Sequence, residues 1–200
     1  MKLFHSPTSP YVRKVMACAI TRGIEGEFEL VPTNPHASPP DLLAHNPLSK
    51  VPCLVTNDGM SLYDSPVICE YLDGLGEAPR LFPAPGPARW RALVMQALGD
   101  GILDAAVARR MEQGKPQDEG RRAFDTRQKA AVYRALAALE ADLPAGTPDI
   151  GALSVGCALG YLDFRFSGES WRGGHARLDS WFEQARAWPG LARTVPRDPA

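Results

Sequence analysis

The step Ser9-Pro10 constrains this chain more than any other feature. Lys2-Leu3-Phe4-His5 reads as a short strand and Ser6-Pro7-Thr8 as turn material. Ser9 then stands where a helix N-cap belongs. Pro10 takes the first helical position, where its missing N–H costs nothing. Val12, Val15, Met16, Ala19 and Ile20 follow as one apolar stripe, with Arg13, Lys14 and Thr21 off it. Gly23 closes the helix as a left-handed cap. A hydroxyl is thereby expected between a strand end and the positive end of a helix, where negative charge is favoured.

The next segments continue the pattern. Glu27 to Val31 alternates and reads as a second strand. Coming after strand and helix, it should run parallel to the first. Pro32 to Pro40 is a loop, and Asp41 to His45 is a short helix at most. Asn46 to Lys50 is a turn, and Val51-Pro52 opens a strand over Cys53 to Thr56. A proline opening a strand suggests a cis bond. Asn57-Asp58-Gly59 makes a tight hairpin to an antiparallel return over Ser61 to Tyr63. Asp64-Ser65-Pro66 repeats the first device, with Ser65 as N-cap and a helix to about Leu75. Gly76 to Gly86 carries Pro79, Pro83 and Pro85 without periodicity, so an interdomain linker is expected there. The division is 1–77, a linker over 78–86, and 87–200.

The second part is helical throughout. Trp90, Leu93, Val94, Ala97, Leu98, Gly101, Ile102 and Ala105 form one stripe. Val132, Leu136, Leu139 and Leu143 mark a second helix. Val155, Leu159, Leu162 and Phe166 mark a third, and Leu178, Trp181, Phe182 and Ala185 a fourth. The whole is an α+β chain. With 22 Lys and Arg against 23 Asp and Glu, the net charge of −1 gives no reason to expect nucleic acid or an anionic membrane as partner. The first residues do not resemble a signal peptide, and no stretch approaches the ~20 apolar residues of a membrane span. A cytoplasmic location is the expectation. Cys18, Cys53, Cys69 and Cys157 form no metal-ligand spacing with each other or with histidine, so each is expected to pack as a small hydrophobe and no metal is expected.

Three pieces, in this order and spacing, resemble the soluble glutathione transferase family. Ser6-Pro7-Thr8-Ser9-Pro10-Tyr11-Val12-Arg13-Lys14-Val15 is similar to the loop-to-helix segment that carries the catalytic residue in bacterial members, and Ser9 matches that residue. Asn46-Pro47-Leu48-Ser49-Lys50-Val51-Pro52 is similar to a segment with a cis proline whose preceding residue pairs its backbone with glutathione. Asp64-Ser65 is similar to the acidic-Ser pair that grips the γ-glutamyl end. The resemblance implies a thioredoxin-like βαβ–ββα domain followed by an all-α domain, usually in a homodimer. One departure lies at Asp149-Ile150-Gly151-Ala152, where the family often has a capping box. Asp149 can still cap, but Gly151 should weaken the first turn.

What the resemblance implies chemically is a co-substrate, glutathione, and a small electrophile held against the helical half. A thiol of pKa near 8.5 is mostly protonated at neutral pH, and its thiolate is the nucleophile. Ser9 would donate a hydrogen bond to that anion, with the helix end adding partial positive charge. The plainer reading is that Ser9 is only an N-cap, and Thr8 is the alternative donor. Val51 and Pro52 offer an edge to the tripeptide. Asp64 suits its ammonium, and the N–H groups around Ser65 suit its γ-glutamyl carboxylate. Lys50 or His36 is a candidate for the glycine carboxylate, each more often simply solvated. Tyr11 is a second-substrate candidate, with packing favoured. Arg109 and Arg110 are further candidates, with surface exposure favoured. Where thioredoxin-like proteins carry a dithiol, this chain reads Ser9-Pro10-Tyr11-Val12, so disulfide exchange through protein cysteines is not expected. The rival readings are a glutathione-binding stress or interaction protein with little catalysis, and a glutathione-dependent peroxidase or reductase.

Overall fold

The computed structural model describes residues 1–198. The chain forms two compact units: Met1–Ala84 together with the segment from Trp188 on, and Pro85–Ala187.

The first unit is built on a four-stranded sheet. Its strands are β1 (Lys2–His5), β2 (Glu29–Pro32), β3 (Cys53–Val55) and β4 (Ser61–Leu62), in the spatial order β2-β1-β3-β4. β1 pairs parallel with β2 and antiparallel with β3, and β3 pairs antiparallel with β4. The second strand starts later than the alternation suggests, because Glu27 belongs to a 3-10 turn over Glu25–Glu27. Three helices join the sheet: α1 (Pro10–Arg22), α2 (Pro40–Leu43) and α3 (Ser65–Asp73).

α1 is capped as its sequence predicts. Ser9 is its N-cap and Gly23, at φ 71°, its left-handed C-terminal residue. The Gly23 and Ile24 N–H groups donate to the Ile20 and Ala19 carbonyls at 3.1 and 2.9 Å, satisfying acceptors the helix leaves open. Val12, Val15 and Ala19 are buried as expected, but so are Arg13 and Lys14. For Arg13 the reason lies far along the chain. A short helix α8 (Pro189–Ala192) packs on α1, and Arg13 donates to the Leu191 carbonyl at 3.3 Å and to Thr194 Oγ1 at 3.4 Å. The last residues therefore belong with the first unit rather than with the helical half.

α3 corrects a second expectation. Asp64 holds the N-cap position and Ser65 is already the first helical residue, buried. At its other end Asp73 forms a buried ion pair with Arg22, Nε to Oδ1 3.5 Å. The same carboxylate accepts from the Leu81 and Phe82 N–H groups at 2.6 and 3.3 Å. Leu81 and Phe82 are buried, so much of the expected linker is anchored in the first unit.

The second unit consists of α4 (Pro87–Gln113), α5 (Glu119–Ala141), α6 (Ile150–Arg165) and α7 (Ala176–Ala185). α6 is apolar on every side, and all of Ile150 to Leu162 is buried, the mark of a central helix. The Asp149 carboxylate caps it, accepting from the Ala152 N–H at 2.7 Å. Gly151 does more than loosen the first turn. A Cβ there would stand 2.6 Å from the Ala92 carbonyl oxygen, so glycine lets α4 and α6 approach closely. This close approach also corrects the reading of α4. Its buried face is Ala92, Met95, Gly99, Ile102, Leu103 and Ala106, small residues among the large ones, whereas Trp90 and Val94 are 68% and 63% exposed.

Candidate functional site

Strand register brings the sequence motifs to one end of the sheet. Phe4 pairs with Cys53, Leu54 with Leu62, and His5 with Pro32. The chain leaving β1 (Ser6 to Ser9), the chain entering β3 (Val51-Pro52) and the chain leaving β4 (Tyr63 to Ser65) therefore issue from the same edge. The chain after β2 does so too, its Thr33 N–H donating to the His5 carbonyl at 2.8 Å. Beneath them lies one apolar cluster of Phe4, Val12, Leu42, Val51 and Cys53, with Met16, Val31, Val55 and Tyr63 packed against it. The first two motifs each send a side chain into it, Val12 and Val51, and Tyr63, the residue before Asp64-Ser65, packs against it. The hydrophobic effect that forms the core thus also fixes the motifs relative to one another.

Ser9 is half-buried at the mouth of this edge, and its Oγ accepts from the Val12 N–H at 3.3 Å. A hydroxyl has one proton and two lone pairs. Capping uses a lone pair and leaves the proton for another acceptor, so the cap and the proposed donor are compatible roles of one oxygen. Thr8 stands one residue earlier in the turn, also half-buried, and Tyr11 is half-buried in the first turn of α1.

The Val51–Pro52 peptide is cis, as the proline at a strand start suggests. Val51 is buried, and because the β3 ladder starts at Cys53 its backbone lies beyond the strand pairing. The turn before it is held by Asn46, whose side chain is 1% exposed. The Asn46 amide accepts from the Leu48 N–H at 3.0 Å and donates to the Lys50 carbonyl at 2.9 Å. The sequence places Asn46 in a turn and at the head of the segment that ends in Pro52, without assigning its side chain a role; its burial is the signal that it shapes the edge. Lys50 is exposed, as is His36 on the 3-10 turn Pro35–Ala37, which Asn34 caps through the His36 N–H at 3.1 Å.

Asp64 is exposed, follows a second cis peptide at Tyr63–Asp64, and makes no side-chain capping bond. Its carboxylate is therefore not occupied by the helix it precedes. The first-turn N–H groups of α3 beside it form an anion-favouring end.

The two arginines separate. Arg110 is exposed, as expected, and Arg109 is not. Arg109 is 3% exposed, donates to Asp125 and Glu169 at 2.8 Å each, and lies 4.5 Å above the Phe166 ring. It joins α4 to α5 and to the segment after α6, which is a structural use of its charge. All four cysteines are buried, and burial pushes the Cys53 thiol up to about 11. Among the described residues, no group of three or more His, Cys, Asp or Glu is placed to hold a metal ion, and no helix is long and apolar enough to cross a membrane.

A four-stranded βαβ–ββα unit with a cis proline at its edge, followed along the chain by an all-helical unit, defines a glutathione-transferase-like architecture. The model of the glutathione S-transferase N-terminal domain matches residues 8–75 and that of the C-terminal domain residues 104–184; the chain belongs to this family. It is 34% identical to YibF, an uncharacterized GST-like protein of Escherichia coli K12, over 98% of both chains. A glutathione transferase family member from Pseudomonas fluorescens Pf-5, solved with bound glutathione, is 41% identical with a TM-score of 0.92 over 98% of this chain and 99% of that one. A Pf-5 family member solved with bound S-(propanoic acid)-glutathione is 39% identical with a TM-score of 0.86, over 99% of this chain and all of the other.

Proposed function

We propose that this protein is a glutathione transferase, which activates the thiolate of glutathione for attack on a small electrophile. The observation that carries the reading is the convergence of Ser9, Val51-Pro52 and Asp64-Ser65 on one sheet edge, with the Ser9 proton uncommitted. Glutathione lies along that edge. Its central residue pairs with the Val51 backbone as an added strand. Its ammonium meets Asp64, and its γ-glutamyl carboxylate takes N–H groups around Ser65 at the α3 N-terminus. Lys50 and His36 face its glycine end.

The chemistry is then short. Ser9 donates to the sulfur while its oxygen keeps accepting from the Val12 N–H, which polarises the hydroxyl and strengthens the donation. The α1 N-terminus adds its partial positive charge. Lowering the thiol pKa by about 2 units requires about 2.7 kcal/mol, within the range of one charge-assisted hydrogen bond plus the dipole. The sulfur lone pair forms a bond to the electrophilic carbon, and the leaving group departs with the bond electrons. The relative that binds S-(propanoic acid)-glutathione supports this reading, since that ligand is glutathione carrying carbon on sulfur. Tyr11 is kept as a second-substrate candidate, and the buried, paired Arg109 is not.

A homodimer is part of the proposal. The exposed stripe of Trp90, Val94, Ala97 and Gly101 on α4 supports it, because a monomer seldom leaves a bulky indole and a valine side by side in water. Val94→Glu is expected to yield a monomer in sedimentation. A cytoplasmic location and the absence of a nucleic-acid partner follow from the same reading. The test is retention on immobilised glutathione followed by conjugation of a chlorodinitrobenzene-type electrophile. Retention with turnover is expected. Retention without turnover would favour a glutathione-binding interaction protein. Peroxide or disulfide reduction without conjugation would favour the reductase reading.

A further inference from the structure

Two serines carry an unusual backbone. Among the described residues, Ser38 (φ 46°) and Ser49 (φ 51°) are the two non-glycine residues at positive φ. Both lie in the left-handed region, where a side chain is disfavoured and where such residues persist only if their surroundings fix them. Their surroundings include each other. Ser49 Oγ lies 2.9 Å from the Pro35 carbonyl oxygen and 3.1 Å from Ser38 Oγ. With one proton on each hydroxyl, Ser49 donates to the carbonyl and accepts from Ser38. The two positions are eleven residues apart, one on the loop after β2 and the other in the turn that enters β3.

We propose that this hydroxyl clasp is a positioning device for the glycine end of glutathione; the inference rests on the reading of the edge as a glutathione site. Ser49 directly precedes Lys50, and Ser38 follows His36 by two residues. The backbones of both segments are otherwise already fixed: Asn46 holds the Lys50 carbonyl, Asn34 caps His36, and Pro35, Pro39 and Pro40 stiffen the loop. The clasp joins these two rigid pieces. It thereby sets the spacing between the candidate partners of the glycine carboxylate, and neither serine touches the reacting sulfur. Ser38 and Ser49 are positioning residues for the tripeptide's far end, selecting glutathione over γ-glutamylcysteine, which ends one residue short.

The experiment compares the two thiols in wild type, Ser49→Ala, Ser49→Gly and Ser38→Ala. Conjugation kinetics give kcat and KM for each thiol, and thermal unfolding gives stability. Ser49→Gly should be the more stable of the two Ser49 variants, because glycine accepts positive φ without penalty and alanine does not. Both Ser49 variants lack the clasp, whereas Ser38→Ala keeps the Ser49 bond to the Pro35 carbonyl and loses only the hydroxyl pair. The Ser49 variants are each expected to lose roughly fivefold of the preference for glutathione, the size of one ordinary hydrogen bond, and Ser38→Ala a smaller part of it, through KM and with little change in kcat. An unchanged preference in the variants overturns the proposal. So does a preference that follows the unfolding temperature, kept in Ser49→Gly and lost in Ser49→Ala, since that is a merely structural role. Wild type that fails to bind either thiol in calorimetry removes the reading of the site itself, and this inference with it.

Discussion

Gly190 sits directly against the Ala17 carbonyl: a Cβ at Gly190 would stand 2.5 Å from that oxygen and 2.6 Å from Thr21 Oγ1. Thr21 is itself held there, donating to the same carbonyl at 2.7 Å. The contact closes α8 onto α1, the helix that Ser9 caps. Gly190→Ala must push backbone away from backbone. It is expected to destabilise the protein by about 1–3 kcal/mol, the usual range for overpacking a tight contact. Urea unfolding measures it, and wild-type stability in that variant would show that the tail does not brace α1.

Arg109 provides a test of structural against functional use of a charge. Its partners Asp125 and Glu169 are 40% and 30% exposed, so solvent weakens the pairing below that of a fully buried triad. Arg109→Leu is expected to cost about 2 kcal/mol in unfolding free energy. Its KM for glutathione and for an electrophile should stay within about twofold of wild type under conditions where it is folded. A stable variant with a greatly raised electrophile KM would return Arg109 to the second-substrate site.

The acid side of the stability curve has a readable contributor. Arg91 forks onto Asp142 at 2.7 and 2.6 Å. The guanidinium holds that carboxyl below its ordinary value. A depressed carboxylate stabilises the folded state above its unfolded pKa, about 3.9, and that contribution is lost as pH falls through the lower folded value. The gap in unfolding midpoint between wild type and Asp142→Asn should therefore be largest near neutrality and shrink below about pH 4. Both side chains are exposed, so added salt should also narrow it. A gap that widens on acidification would contradict the assignment.

How much of this was legible in the sequence follows from how local each cause is. The α1 caps and the cis Val51–Pro52 bond were readable, because Ser-Pro, Gly and a strand-opening proline act within a few residues. The burial of Arg13 was not, because its partner at Leu191 lies more than 170 residues away. The stripe through Trp90 and Val94 looked like a core face, since periodicity records size and not closeness. Gly99 and Gly151 decide instead which face approaches α6, as a Cβ at Gly99 would stand 2.8 Å from Ser154 backbone. At the site, the residue types and their order were legible. The Asn46 bracket and the Ser38–Ser49 clasp were not, since a buried amide and a left-handed serine look in sequence like any polar turn.

The most direct test is a pH titration of the thiol of bound glutathione, followed by thiolate absorbance, in wild type, Ser9→Gly and Thr8→Ala. Glycine keeps most of the N-cap's stability, so folding and hydroxyl chemistry are separated. The bound thiol is expected to titrate about 2 units below the free value near 8.5 in wild type and in Thr8→Ala, and to return toward that value in Ser9→Gly. A depressed pKa that survives in Ser9→Gly, or one that is lost only in Thr8→Ala, would contradict the claim that the Ser9 hydroxyl holds the sulfur as an anion.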